Sequence, residues 1–210
     1  MAHRLAAGDP DVWNSAVEAA NPGSILVVIN WNMGEELRQR LAPEDVLQET
    51  LLKAWQARAN FEWQDIATFR HWLLAIAKSC IADHRDYEGA AKRDSRRTTT
   101  LTPASHNGSG SSAHADVVEP WGSTTPSRIA VGRETAQVME KALRSLPDEV
   151  RDVVRLRLFE DLPNGEVAMS LGISESAVRR RFHTGAEIYR VRVRALLEPE
   201  TGNGSAAGFS

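Results

Sequence analysis

Apolar residues return every three or four positions along most of this 210-residue chain, and nowhere do they alternate convincingly with polar ones. That period belongs to helices. Asp9-Pro10-Asp11 predicts a helix start: a capping Asp, Pro at the first helical position and a second acid. Val12, Trp13, Ala16, Val17 and Ala20 form its apolar face, and Asn21-Pro22-Gly23 stops it. The next helix sets Leu26, Ile29, Met33 and Leu37 on one side. Val27, Val28 and Trp31 add apolar surface around it, which predicts burial on more than one face. Pro43-Glu44-Asp45 opens a third helix with a core stripe of Leu47, Leu51, Ala54 and Trp55, while Asp45, Gln48, Glu49 and Lys53 fall together on the other side. The period breaks over 59–67, leaving Phe61 and Trp63 in a short loop. A fourth helix, starting near Thr68, carries Phe69, Trp72, Leu73, Ile76, Ala77 and Cys80 inward.

From Thr98 to Thr125 the chain turns to Thr, Ser, Gly, Pro and Ala with few large apolar residues. Such a stretch buries too little surface to offset its ordering entropy, which predicts a flexible linker. Helical spacing resumes around Thr125-Pro126-Ser127, with Val131, Val138, Met139, Ala142 and Leu143 leading to Leu146-Pro147. Pro147-Asp148-Glu149 starts another helix whose stripe is Val150, Val153, Val154 and Leu158. A last pair of helices follows, the second running through Tyr189 and Val193 to Leu196, before a Gly- and Ser-containing tail. The expected architecture is all-α: two small helical bundles, 5–97 and 125–197, joined by a linker at 98–124 and followed by a disordered tail at 198–210.

The last pair, Leu162 to Phe182, predicts a helix-turn-helix. Val167, Ala168 and Leu171 stripe the first helix; Gly172 ends it, because the turn needs a residue that tolerates a left-handed backbone. Ser174 caps the second helix and Glu175 suits its positive N-terminus. Val178 and Phe182 hold that helix on the first, and Ser176, Arg179 and Arg180 face outward with Arg181 on the flank. Such a helix enters the DNA major groove with its N-terminal residues leading. An ordinary helical hairpin with a solvated basic face has the same local pattern.

A net charge of −3 does not mark the whole chain as a nucleic-acid binder. The distribution does more: between Ala177 and Leu197 six arginines stand against one acid, Glu187, an excess that could follow a phosphate backbone. The single cysteine, Cys80, excludes an internal disulfide framework and a cysteine-based zinc site, and its place in a core stripe makes it a small buried hydrophobe. The first residues hold no apolar core of signal-peptide length. The longest strongly apolar run, Ile25 to Ile29, is far too short to span a bilayer, so no membrane insertion and a cytoplasmic location are expected. His84 has no second ligand at a convincing spacing, so no metal and no cofactor are expected. No Gly-rich phosphate loop or nucleophile motif supports an enzyme built on Asp83-His84.

Three pieces of the chain resemble bacterial sigma factors of the small extracytoplasmic-function type, which keep only regions 2 and 4. Residues 43–50, PEDVLQET, followed by Ala54-Trp55, are similar to the D-x-x-Q-E-T-F-x-x-A-W pattern of region 2. Residues 69–77, FRHWLLAIA, with Asp83-His84-Arg85 after them, are similar to its F-R-x-W-L-x-x-I-A run, and Leu146-Pro147 through Tyr189 resembles region 4. The resemblance covers about 10–97 and 125–197. It implies that Asp45, Gln48, Glu49 and Lys53 dock on core RNA polymerase, the first expected partner. It implies that Phe61 and Trp63 stack or wedge against unpaired bases of a promoter −10 element. Arg70, Lys78, His84 and Arg85 would follow the strand backbone there. Ser176, Arg179 and Arg180, with Arg181 nearby, would read a −35 element, and Ser174 and Thr184 could hold phosphates. The mechanism implied is binding of promoter DNA and polymerase, without covalent chemistry. Three departures stand out: Leu162-Pro163 replaces Leu-Ser and leaves Asn164 to cap the helix; Ser79 stands where many relatives have Asn; and Gly185 removes one basic contact. A stand-alone helix-turn-helix regulator is the alternative, and the sequence leaves open a form held by an anti-sigma factor.

Overall fold

A computed structural model of the chain describes residues 2–98 and 126–198. The expected linker, the C-terminal tail and the side chains of the basic run Lys92, Arg93, Arg96 and Arg97 lie outside the described residues. Among the described residues there are helices and turns and no strand. They run α1 (Ala2–Ala6), α2 (Pro10–Ala19), α3 (Pro22–Arg38), α4 (Pro43–Ala57), a 3-10 turn (Arg58–Asn60), α5 (Ile66–Thr98), α6 (Pro126–Arg144), α7 (Asp148–Val154), a π turn (Arg155–Phe159), α8 (Asn164–Leu171) and α9 (Glu175–Leu197). The described residues divide into two compact units, 2–22 with 29–98 and 126–129, and 23–28 with 130–198.

In the first unit, Asp9 caps α2: one carboxylate oxygen accepts from the N–H groups of Asp11 and Val12 at 3.1 and 3.2 Å. Trp13 and Ala16 then point inward. Trp13 meets the rings of Trp55 and Phe69 edge-on, with centroids 5.3 and 5.7 Å away, a geometry that sets positive ring edges against negative faces. The inner stripe of α4 is Val46, Leu47, Thr50, Leu51, Ala54 and Trp55; Thr50 fits because its hydroxyl donates to the Val46 carbonyl at 2.7 Å. From α5 come Phe69, Leu73, Leu74, Ala77, Cys80 and Ile81. Cys80 is buried, and burial pushes its thiol above the usual pKa, which keeps it protonated.

Two details of this unit differ from expectation. The helix expected near Thr68 begins at Ile66, because Asp65 accepts a hydrogen bond from the Thr68 N–H at 2.7 Å and closes the first turn earlier. Helix α3, expected to be continuous, is broken at Gly34 (φ 75°, ψ 165°), where only glycine is at ease. The break frees backbone carbonyls, and two arginines take them. Arg38 donates to the Asn30 carbonyl at 3.3 Å, and Arg85, from α5, donates to that of Asn32.

In the second unit Leu143 and Leu146 lead to Val150, Val153 and Val154 of α7, all buried. The stripe does not continue to Leu158, which stays 41% exposed. The π turn accommodates more residues per turn than an α-helix, and Leu156 and Phe159 are the side chains that turn inward. Phe159 meets Tyr189 of α9 edge-on at 5.8 Å. The helix-turn-helix core is Val153, Leu156, Val167, Ala168 and Val178, with Leu162, Leu171, Ile173 and Phe182 packed around it. Asn164 is not a cap: Pro163 occupies the cap position with no side-chain bond, and Asn164 is the first helical residue.

Candidate functional site

The polar face of α4 forms as its spacing requires. Asp45 and Gln48 are exposed, and Glu49 and Lys53 are half-buried one turn further on. Those last two are already engaged within the protein. Lys53 Nζ lies 2.9 Å from Glu49 and 3.0 Å from Asp83 of α5, and His84 Nε2 lies 2.7 Å from the other Glu49 oxygen. A carboxylate can only accept, so the His84 ring donates. Burial pushes the Glu49 carboxyl upward, yet the bonds from Lys53 and His84 outweigh it and hold the carboxyl below its usual pKa. The bond to Glu49 raises Lys53 in turn, so both stay charged near neutrality. One ionic cluster thus joins α4 to α5. It brings His84, expected on the DNA strand, against Glu49, expected on the polymerase. Asp83 is the member that spacing did not single out; only the crossing of the two helices puts it there.

The loop aromatics fold back. Phe61 stacks on Trp72 with centroids 4.4 Å apart and meets Phe69 at 5.6 Å, while Trp63 lies 5.5 Å from Phe69. Both keep part of their surface exposed. A base that stacks here would join an aromatic cluster already rooted in the core through Trp13. Arg70 on α5 is half-buried and Lys78 exposed, while Arg85 is exposed and carries its bond to α3.

The helix-turn-helix has the expected turn. Gly172 adopts φ 64° and ψ 33°, and the Ser174 hydroxyl accepts from the Ala177 N–H at 3.2 Å. That cap engages Ser174, and Ser176 lies 3.0 Å from it, hydroxyl to hydroxyl. Arg179, Arg180 and Thr184 are exposed and Arg181 is half-buried. Arg179 sits 3.6 Å from Glu175, one turn back, an exposed pair that yields readily to a better partner. Gly185 requires a correction. It is buried, and a Cβ there would stand 2.5 Å from a Val154 methyl and 3.0 Å from Val150 Cβ. The position faces α7, so glycine permits close helix contact, and no outward basic side chain is missing from it. Sequence spacing also overlooked Arg157, which lies over the Phe182 ring of α9. Among the described residues no group of His, Cys, Asp and Glu could hold a metal ion, and no helix is long and apolar enough to cross a membrane.

These features define a helical protein with a polar α4 face and a helix-turn-helix that presents arginines. The family models described as Sigma-70 region 2 and Sigma-70, region 4 match residues 32–90 and 136–186, together just over half of the chain. The chain is 26% identical over 153 residues to the ECF RNA polymerase sigma factor SigL of Mycobacterium tuberculosis, covering 73% of this chain and 75% of that one. It is 23% identical over 201 residues to the ECF RNA polymerase sigma-E factor of Salmonella typhimurium, covering 94% of each. Solved structures that resemble it are CnrH in complex with the cytosolic domain of CnrY (20% identity, TM-score 0.36, 93% and 94% covered) and the RsbN-BldN complex (18%, 0.32, 91% and 98%). The chain belongs to the sigma-70 family, as an RNA polymerase sigma factor of the extracytoplasmic-function type. Sigma factors are DNA-binding transcription initiation factors.

Proposed function

We propose that this sigma factor works in the cytoplasm through two separate domains, 5–97 and 125–197, that divide promoter recognition between them. Asp45 and Gln48 dock on core RNA polymerase, supported by the Glu49–Lys53 pair. Phe61 and Trp63 receive melted bases of the −10 element, and Arg70, Lys78, His84 and Arg85 track the strand beside them. Arg179 and Arg180 read −35 base edges in the major groove, with Ser176 and Arg181 beside them and Ser174 and Thr184 near phosphates. A guanidinium there can bond a guanine edge through two hydrogen bonds. Catalysis stays with the polymerase; this chain contributes binding alone.

The observation that carries the reading is the union in one chain of the polar α4 face and a capped helix-turn-helix whose arginines point outward. A regulator that bound DNA by itself would give the α4 face no role. Run-off transcription with purified core polymerase on a promoter pool tests it. New specific transcripts are expected, and they should be lost with Asp45→Ala/Gln48→Ala and with Arg179→Ala/Arg180→Ala. Tight polymerase binding without transcripts would point to a silent form, such as one held by an anti-sigma partner. Neither binding nor transcripts would return the stand-alone regulator to the front.

A further inference from the structure

Helix α8 starts without a side-chain cap, since Pro163 offers neither a hydroxyl nor a carboxylate. The segment leading into it is held from the π turn instead. The Leu162 N–H donates to the Leu156 carbonyl at 3.1 Å, and Arg157 Nη1 donates to the Leu162 carbonyl at 2.5 Å. The same guanidinium lies over the ring of Phe182, 5.3 Å from its centroid. Phe182 belongs to α9, next to Arg181 and three residues beyond Arg179. From the π turn, Arg157 therefore touches the segment that leads into α8, at Leu162, and α9, at Phe182. Its Nε is buried and bonds to nothing among the described residues, so the Leu162 carbonyl and the Phe182 face are the contacts that fix its plane. A lysine could keep the charge but not the flat fork that makes both contacts at once.

We infer that Arg157 is a positioning residue for −35 recognition: it fixes α9 against the start of α8 and so sets where Arg179 and Arg180 meet the base edges. This rests on the reading of α9 as the −35 helix. Base-edge hydrogen bonds are short and directional, so a small rotation of α9 weakens them more than it weakens contacts to phosphates.

The test uses the full chain with core polymerase and a promoter selected by the wild-type holoenzyme. One readout is the ratio of run-off rates on the selected −35 element and on one with a preferred base pair changed. The other is the slope of log affinity against log salt. Arg157→Lys should lower the ratio about tenfold, the scale of one base-edge contact, with an unchanged slope. Phe182→Leu should act in the same direction. Combined with Arg157→Lys it should add little, because both break one link. If Arg157→Lys failed to fold, Phe182→Leu would still decide the matter. Equal loss on both promoters at an unchanged ratio would make Arg157 a stabiliser only, and would overturn the inference. A slope that falls by about one in Arg157→Met but not in Arg157→Lys would make it a phosphate contact, and would overturn it too. The −35 reading fails separately if Arg179→Ala/Arg180→Ala leaves the ratio unchanged.

Discussion

Gly185 shows how much one missing Cβ decides in this protein. In a helix interior, Gly→Ala would ordinarily add about 1 kcal/mol of stability. Here the new methyl would meet Val154 at 2.5 Å and Val150 at 3.0 Å, distances that side chains anchored in a packed core cannot relieve cheaply. Overpacking of this kind costs about 1–3 kcal/mol, so the net effect of Gly185→Ala should be destabilising. A lowered melting temperature of the second unit would confirm it; a raised one would mean that α9 can move away from α7 at no cost. Leu158 makes the complementary point. It fits the apolar stripe by spacing, yet the π turn leaves it 41% exposed and buries Leu156 and Phe159. A single sequence does not announce a π turn, because the apolar residues on either side fit a regular helix equally well.

At the scale of elements, α4 carries two kinds of polar residue that its helical period cannot separate. Asp45 and Gln48 face solvent, whereas Glu49 and Lys53 tie α4 to Asp83 and His84 of α5. Asp45→Ala/Gln48→Ala should therefore weaken polymerase binding and leave the melting temperature near that of the wild type. Glu49→Ala should weaken binding and also cost about 0.5–1 kcal/mol, the worth of the partly exposed ion pair with Lys53 and the hydrogen bond with His84. The sign with pH follows from Glu49, whose carboxyl is held below its usual value in the fold. Its contribution is complete above the usual carboxylate range and disappears as pH falls through that lowered value. Thermal unfolding of the wild type and Glu49→Ala should accordingly converge in acid. A constant gap at every pH would mean that the cluster does not depend on the Glu49 charge.

For the whole molecule, the distribution of charge matters more than its total. The chain carries −3 overall, yet α9 concentrates six arginines against two acids, Glu175 and Glu187. Binding of the chain, with polymerase, to promoter DNA should thus weaken steeply with salt. The arginines should divide by role. Arg181→Ala, on the flank, should weaken binding to all −35 sequences alike and lower the salt slope by about one. Arg179→Ala should cost about 1–3 kcal/mol on the preferred sequence and relax the preference itself. If both variants changed the slope and neither changed the preference, α9 would be gripping DNA without reading it.

Local chemistry set most of the helices, because capping residues, prolines and apolar spacing act within one or two turns: Asp9, Pro43, Gly172 and Ser174 each do what their surroundings in the chain predict. The family was legible there too, since three motifs in order are a property of the chain alone. The packed fold settled which polar residues are already occupied, as Glu49 is by His84 and Lys53 by Asp83. It decided where a helix breaks at Gly34, that Gly185 faces α7, and that Arg157 links the approach to α8 with α9. The pairings of Glu49 with His84, Lys53 with Asp83, Gly185 with Val154 and Arg157 with Phe182 each join residues far apart in the chain at atomic distance, and short-range spacing carries no information about such meetings.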